Sequence, residues 1–281
     1  MLTADSINSN AADQVRKRDV LGIVGGLGPL ASADFLLSIY ERNMRDREQE
    51  SPVVLCYSDP TFPDRTETFL SGKDDTLLER LERVLGELCA LGATRLVVPC
   101  VTFHHLFPRL PVYFRNKLIS LVELTLDEVI KSREPHLLLC TNGTRVMRIF
   151  ESHEKWPAAA RYVAMPDEED QARIHELIYK VIKRNGPVAS LTSFLESLSD
   201  KYEINSFIAG CTELHRVSRF LSREDGAGRV FSFIDPLAVI AGNYEELVYE
   251  ERSGSISKEL RNLSREDSGL LERYGYQLQR A

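Results

Sequence analysis

Short apolar runs alternate along this chain with longer segments of helical period. The runs are Val20–Val24, Val53–Tyr57, Leu96–Val98, Leu118–Leu121, His136–Leu139, Tyr162–Ala164, Phe207–Ala209 and Val230–Ile234. Each is bounded by Gly, Pro, Asn or Asp, the pattern of strands buried in a parallel sheet. Between them lie Ala31–Asp46, Asp75–Leu91 and Glu168–Asn185, whose pattern predicts helices. Strand and helix in alternation predict an α/β protein with parallel sheets. In such sheets ligands gather beyond the carboxyl ends of the strands.

The two halves echo one another. GIVGGLGP, a strand running into a glycine loop, pairs with LLLCTNGT; SPVVLCYSDP pairs with ARYVAMPDE; TRLVVPCVTFHH pairs with NSFIAGCTELH. Three matching units at similar spacing suggest a duplicated domain. The expected architecture is therefore two pseudo-symmetric parallel-sheet αβα domains with the site in the cleft between them. The expected division is a polar arm at 1–18, a first domain at 19–130 plus 231–250, a second at 131–230, and a charged extension at 251–281.

Composition narrows the functions. Hydrophobic content of 43% supports a substantial core, and a formal net charge of −7 argues against nucleic acid as the main partner. A local Arg or Lys still allows an acidic small molecule. No apolar run approaches a membrane span, and the polar start MLTADSINSNAADQVRKRD lacks the apolar core of a secretory signal, so the cytoplasm is the expected compartment. Five cysteines, an odd number, do not suggest a disulfide framework.

Cys100 and Cys211 stand out because each follows an apolar strand where a loop should open into a helix. Thr102 follows the first and Thr212 the second. A thiol at a helix N-terminus faces unpaired N–H groups, which lower its pKa from about 8.5 and make it a usable base or acid. Each taken alone could be a buried structural cysteine; their matching places in the repeat favour chemistry. Cys89 and Cys56 fall inside a helix and a strand and read as core, and Cys140 has a weaker case than the pair. Cys100-x-x-x-His104 and Cys211-x-x-x-His215 could in principle ligate zinc, but this is not a familiar zinc spacing, and no metal is expected. His104 reads as a helix residue hydrogen-bonding near the thiol, and His105 and His215 as surface or supporting residues.

Gly25-Gly26-Leu27-Gly28-Pro29 could turn backbone N–H groups toward an anion, or be only a tight strand-to-helix turn. It is neither a dinucleotide fingerprint nor a Walker loop. In Pro60–Thr66, two prolines stiffen a loop that holds out Arg65, either to clasp a carboxylate or to pair with Asp64 or Glu67. Lys183 ends a helix, where it either complements the helix dipole or supplies a second clamp on substrate charge.

Taken in order, GIVGGLGP, PDRT at Pro63–Thr66, PCVTFHH, QARIHELIYKVIKRNG, AGCTELH and IDPLAVIA resemble the PLP-independent aspartate/glutamate racemases, most closely the aspartate racemase branch. The resemblance runs roughly from Val20 to Ala241. It implies that Cys100 and Cys211 face a substrate α-carbon from opposite sides as the two catalytic bases, with no cofactor. It implies that Thr102 and Thr212 hold the α-carboxylate, and that Arg65 and Lys183 read a side-chain carboxylate. The residues expected around substrate are Gly26, Arg65, Val101, Thr102, Thr141, Lys183, Thr212 and Glu213, with His104 behind them. The partner implied is a small acidic amino acid, aspartate before glutamate, and a homodimer is a family-level expectation. The chain departs from the usual Cys-Asn-Thr by carrying Val101, and His215 stands where Pro is common. Relatives of the same look include hydantoin racemases, maleate isomerases and arylmalonate decarboxylases, and Val101 supports a further alternative, a non-catalytic ligand-binding protein.

Overall fold

The computed structural model describes residues 19–187, 191–222 and 230–249; the arm at 1–18 and the extension at 251–281 lie outside the described residues. The first half runs β1 (Val20–Gly25), α1 (Pro29–Arg42), β2 (Val53–Ser58), α2 (Arg65–Leu70), α3 (Asp75–Ala90), β3 (Arg95–Val97), a 3-10 segment Val101–Arg109, α4 (Val112–Arg115) and α5 (Leu121–Ser132). The second runs β4 (His136–Leu139), α6 (Asn142–Val146), α7 (Trp156–Ala159), β5 (Val163–Ala164), α8 (Glu168–Leu177), a π-helical turn Ile178–Ile182 and α9 (Thr192–Tyr202). It closes with β6 (Ser206–Ala209), α10 (Leu214–Leu221), β7 (Ser232–Ile234), α11 (Pro236–Gly242) and α12 (Tyr244–Val248).

Both sheets are parallel and share one order. The first is β2-β1-β3, extended by a single bridge from Leu96 to Leu118; the second is β5-β4-β6-β7. In each half the first strand is central, flanked by the second and third, with the fourth beyond the third. This repeated order is the duplication suggested by the sequence, and it sets the carboxyl-end loops of β1, β3, β4 and β6 around common ground.

Three expectations change. Leu118–Leu121 makes one bridge rather than a strand, because Ser120 caps α5 by accepting from the Glu123 N–H at 3.1 Å and the helix begins at Leu121. The segment 231–250, expected wholly with the first half, is divided. Ser232–Ile234 is the edge strand of the second sheet, whereas α11 packs on α1 of the first half. Cys56, expected in the core, is exposed on the edge strand β2.

The core explains the division. One cluster draws Leu21, Ile23, Phe35 and Val97 from the first half together with Leu138, Ile208, Leu237 and Ile240 from the second. Two further clusters lie on the outer faces, one per half. The crossing is mutual, since α5 of the first half packs against α7 and β7 of the second. With about 1.5–3 kcal/mol for each fully buried Leu, Ile or Phe, the shared cluster makes the halves one cooperative body. A polar bridge reinforces it. Ser38 Oγ of α1 lies 2.9 Å from His215 Nε2 of α10, and His215 Nδ1 lies 2.6 Å from Asp235 Oδ2 at the N-cap of α11.

Candidate functional site

Cys100 caps the 3-10 segment that follows β3, in extended backbone with φ −157°. From this turn alternate residues face opposite ways. Thr102 looks into a cavity, its Oγ1 3.0 Å from Thr144 Oγ1 of the other half. Val101 points away and packs in the shared core, 2% exposed, so it is not among the residues lining the cavity. The expectation that Val101 touches substrate is corrected on that ground. His104 is a brace: Nδ1 donates to the carbonyls of Cys100 and Val101 at 3.2 and 3.1 Å, and Nε2 accepts from the Leu121 N–H at 2.9 Å. Burial pushes this imidazole down to about 4, so it is neutral at ordinary pH.

Cys211 follows β6 and Gly210. A Cβ at Gly210 would come within 2.6 Å of Leu138 Cδ1 and 2.9 Å of Cys140 Cβ, so only glycine lets β6 end this close to β4. Thr212 donates to the Pro99 carbonyl across the halves at 2.9 Å, which commits its one hydrogen to holding the Cys100 turn. The expected lowering of the thiol by a helix terminus is overturned at Cys211. Burial and the neighbouring Glu213 carboxylate push it up to about 12, outweighing Lys183 and the Glu213 N–H.

Arg65 opens α2 behind Asp64, which caps that helix by accepting from the Glu67 N–H at 3.1 Å. The guanidinium donates to the carbonyls of Pro63 and Leu27 and lies beside Cys100 on the cavity wall. It forms no ion pair with Asp64 or Glu67 of the kind its loop allowed. Asp64 instead meets the second half, with Oδ2 2.9 Å from Tyr179 Oη and 3.7 Å from Lys183 Nζ. Tyr179 Oη also lies 3.1 Å from Thr66 Oγ1, and Lys183 sits 3.5 Å over the Tyr179 ring. The π-helical turn at Ile178–Ile182 carries Tyr179 and leads into Lys183, and such turns often mark functional sites.

These residues enclose a small cavity. Its lining is Leu27, Arg65, Thr66, Cys100, Thr102, Thr141, Tyr179, Lys183, Cys211, Thr212 and Glu213, around about 20 Å³ of free space. A second, open pouch of about 210 Å³ adjoins it and shares Leu27, Arg65, Lys183 and Glu213 as the common wall. Gly26 lines only the pouch; its φ of +85° and the Asp59 backbone, 2.3 Å from where a Cβ would sit, account for the glycine. The structure thus gathers Cys100, Cys211, Arg65, Thr102, Thr141, Lys183, Thr212 and Glu213 and leaves out Val101 and, from the inner cavity, Gly26.

Sequence reasoning missed Leu27, Thr66, Asp64 and Tyr179. A signal for Tyr179 existed, since it stands four residues before Lys183 on one helical face. The Cys/His pairs do not converge on a metal. His104 and His215 have both ring nitrogens engaged, and among the described residues no group of three or more His, Cys, Asp or Glu is placed to hold an ion. His215 is 1% exposed, not a surface residue. No helix among the described residues is long and apolar enough to cross a membrane.

The same fold occurs in known structures. The aspartate racemase of Picrophilus torridus superposes with TM-score 0.68 at 20% identity, covering 86% of this chain and 98% of that one. A putative Asp/Glu racemase from Yersinia pestis gives 0.63 at 16% identity over 83% and 100% of the two chains. An aspartate racemase homologue from Pyrococcus horikoshii gives 0.58 at 16% identity over the same shares. The sequence itself matches the Asp/Glu/Hydantoin racemase family over residues 24–242, from the end of β1 to the end of α11, and the chain belongs to that family.

Proposed function

We propose that this protein racemises an acidic amino acid, aspartate before glutamate, by proton transfer between Cys100 and Cys211 without a cofactor. The observation that carries the reading is that both cysteines, one from each half, line a single cavity that also holds Arg65 and Lys183. Two acid/base groups on one cavity suit removal of a proton from one face of a carbon and delivery to the other. Two cations beside them suit a substrate with more than one carboxylate. Aspartate comes first because the shorter acid demands the least expansion of a cavity this small.

The two sulfurs are not equivalent. Cys211 keeps its proton, since burial and Glu213 push its thiol up to about 12. Cys100 shares the cavity wall with the Arg65 guanidinium, a cation beside its sulfur. In the direction this favours, Cys100 takes the α-proton. The electron pair left on carbon delocalises into the α-carboxylate, and Cys211 gives its proton to the opposite face. The enzyme then holds its proton on Cys100; after product leaves, Cys100 gives a proton to solvent and Cys211 takes one from it, or the reaction runs in reverse. Thr102 and Thr141 supply hydroxyls toward the carboxylate, while Thr212 fixes the Cys100 turn.

The test is exchange in D₂O. The protein should place deuterium at the α-carbon of L- and D-aspartate while the enantiomers interconvert, followed by NMR and chiral chromatography. Neither exchange nor interconversion with aspartate or glutamate would overturn the reading.

A further inference from the structure

Glu213 is 3% exposed and lines both the inner cavity and the pouch. It is the one carboxylate among the residues enclosing the inner cavity. Among the described residues, no hydrogen bond reaches its side-chain oxygens. The nearby cations are held by other partners: Arg65 by the Leu27 and Pro63 carbonyls; Lys183 by Asp64 and the Tyr179 ring; Arg216 by Asp34, Asn185 and the Ile182 carbonyl. Burial raises the carboxyl above its ordinary range, against the pull of Lys183, Arg216 and Arg65. A buried carboxylate without a direct partner is costly unless a ligand completes it.

The chemistry of the missing partner follows from the lining. Arg65 and Lys183 answer carboxylates, and the sulfurs answer the α-hydrogen. An amino acid held there brings one more charged group, its ammonium, and Glu213 is the one carboxylate lining the inner cavity to meet it. We propose that Glu213 receives the substrate's α-ammonium group, and so restricts this site to amino acids over hydantoins and over diacids that lack an amine. The inference rests on the racemase reading above. Gly28 belongs to the same device. A Cβ there would lie 1.9 Å from Glu213 Oε1, so glycine at this position makes room for the carboxylate.

Calorimetric titration of the full chain with aspartate and with succinate, its counterpart without the amine, reads the ammonium site without any need for turnover. Wild type should prefer aspartate, and Glu213→Gln should weaken aspartate about tenfold or more while leaving succinate equal or tighter, as expected for a lost charge-assisted hydrogen bond. Gly28→Ala, which displaces the carboxylate and leaves Glu213 in place, should reduce the same preference and serves if Glu213→Gln misfolds. An unchanged aspartate-to-succinate ratio in these variants, with deuterium exchange intact in wild type, overturns the role of Glu213 alone. Slower exchange in Glu213→Gln at an unchanged ratio also overturns it, because that result assigns Glu213 to proton transfer. A wild-type protein that neither binds aspartate nor exchanges its α-proton removes the racemase reading, and this inference with it.

Discussion

Replacing Asp235 with alanine removes two things at once. Oδ1 accepts from the N–H groups of Leu237 and Ala238 at 3.1 and 3.3 Å, capping α11, and Oδ2 lies 2.6 Å from His215 Nδ1. Losing the cap costs about 0.5–2 kcal/mol. Leaving the His215 nitrogen buried and unpaired costs about 1–3 kcal/mol more. Asp235→Ala should therefore destabilise the protein by about 2–5 kcal/mol, in line with about 3–5 for breaking a buried pair. Urea unfolding followed by far-UV circular dichroism at pH 7 measures this as a lower midpoint. Asp235→Asn keeps an acceptor for the helix and should recover the cap portion. The carboxyl also gives stability a pH dependence. Burial pushes it up, but His215 and the two N–H groups outweigh burial and leave it below its ordinary value. Its contribution is thus complete above the unfolded value of about 3.9 and fades as pH falls through the lower folded value. Asp235→Asn should lack that acid-side loss. A cost under about 1 kcal/mol for the alanine variant, or an asparagine variant no better than alanine, would refute the account of this bridge.

Cys100→Ser and Cys211→Ser should each abolish racemisation of aspartate in a chiral assay; full activity in either removes the two-base scheme. Arg65→Ala should weaken acidic substrates selectively, seen as a rise in KM for aspartate, and an equal loss toward neutral amino acids would show that Arg65 does not read a carboxylate. Cys211 should resist iodoacetamide at pH 8, because a thiol near 12 is about one part in ten thousand thiolate there. Peptide mass spectrometry would show the opposite if Cys211 were modified as fast as a free thiol.

Much of the fold was legible because buried parallel strands are written as short runs of Val, Ile and Leu, and because three of those runs recur in order in the second half. The boundaries that failed were set by local hydrogen bonds. Ser120-x-x-Glu123 starts a helix where the apolar run alone suggested strand, and Asn43 ends α1 at Arg42 by reaching back to the Ile39 carbonyl and across to Ala241. The edge strand Ser232–Ile234 pairs with β6 through its backbone, which no side-chain pattern announces. At the site, the cysteines, threonines and cations were readable from their places after strands. Val101 was not, because which face a residue presents in a 3-10 segment depends on a turn that only coordinates show. Asp64 and Tyr179 were missed because their role is to hold other side chains across the gap between halves.

The parallel course of α1 and α10 limits how substrate gets in. Gly28 and Glu213, their N-caps, stand at the cavity, and further along the helices are tied by Asp34 to Arg216 and by Glu41 to Arg219. Rigid parting of the halves is thereby opposed, and admission becomes an exchange of counter-ions. Arg65 is held by the Leu27 carbonyl and Lys183 by the Asp64 carboxylate, groups of the kind an acidic ligand would bring. Under the proposed function, affinity for an acid would be the difference between two sets of similar contacts.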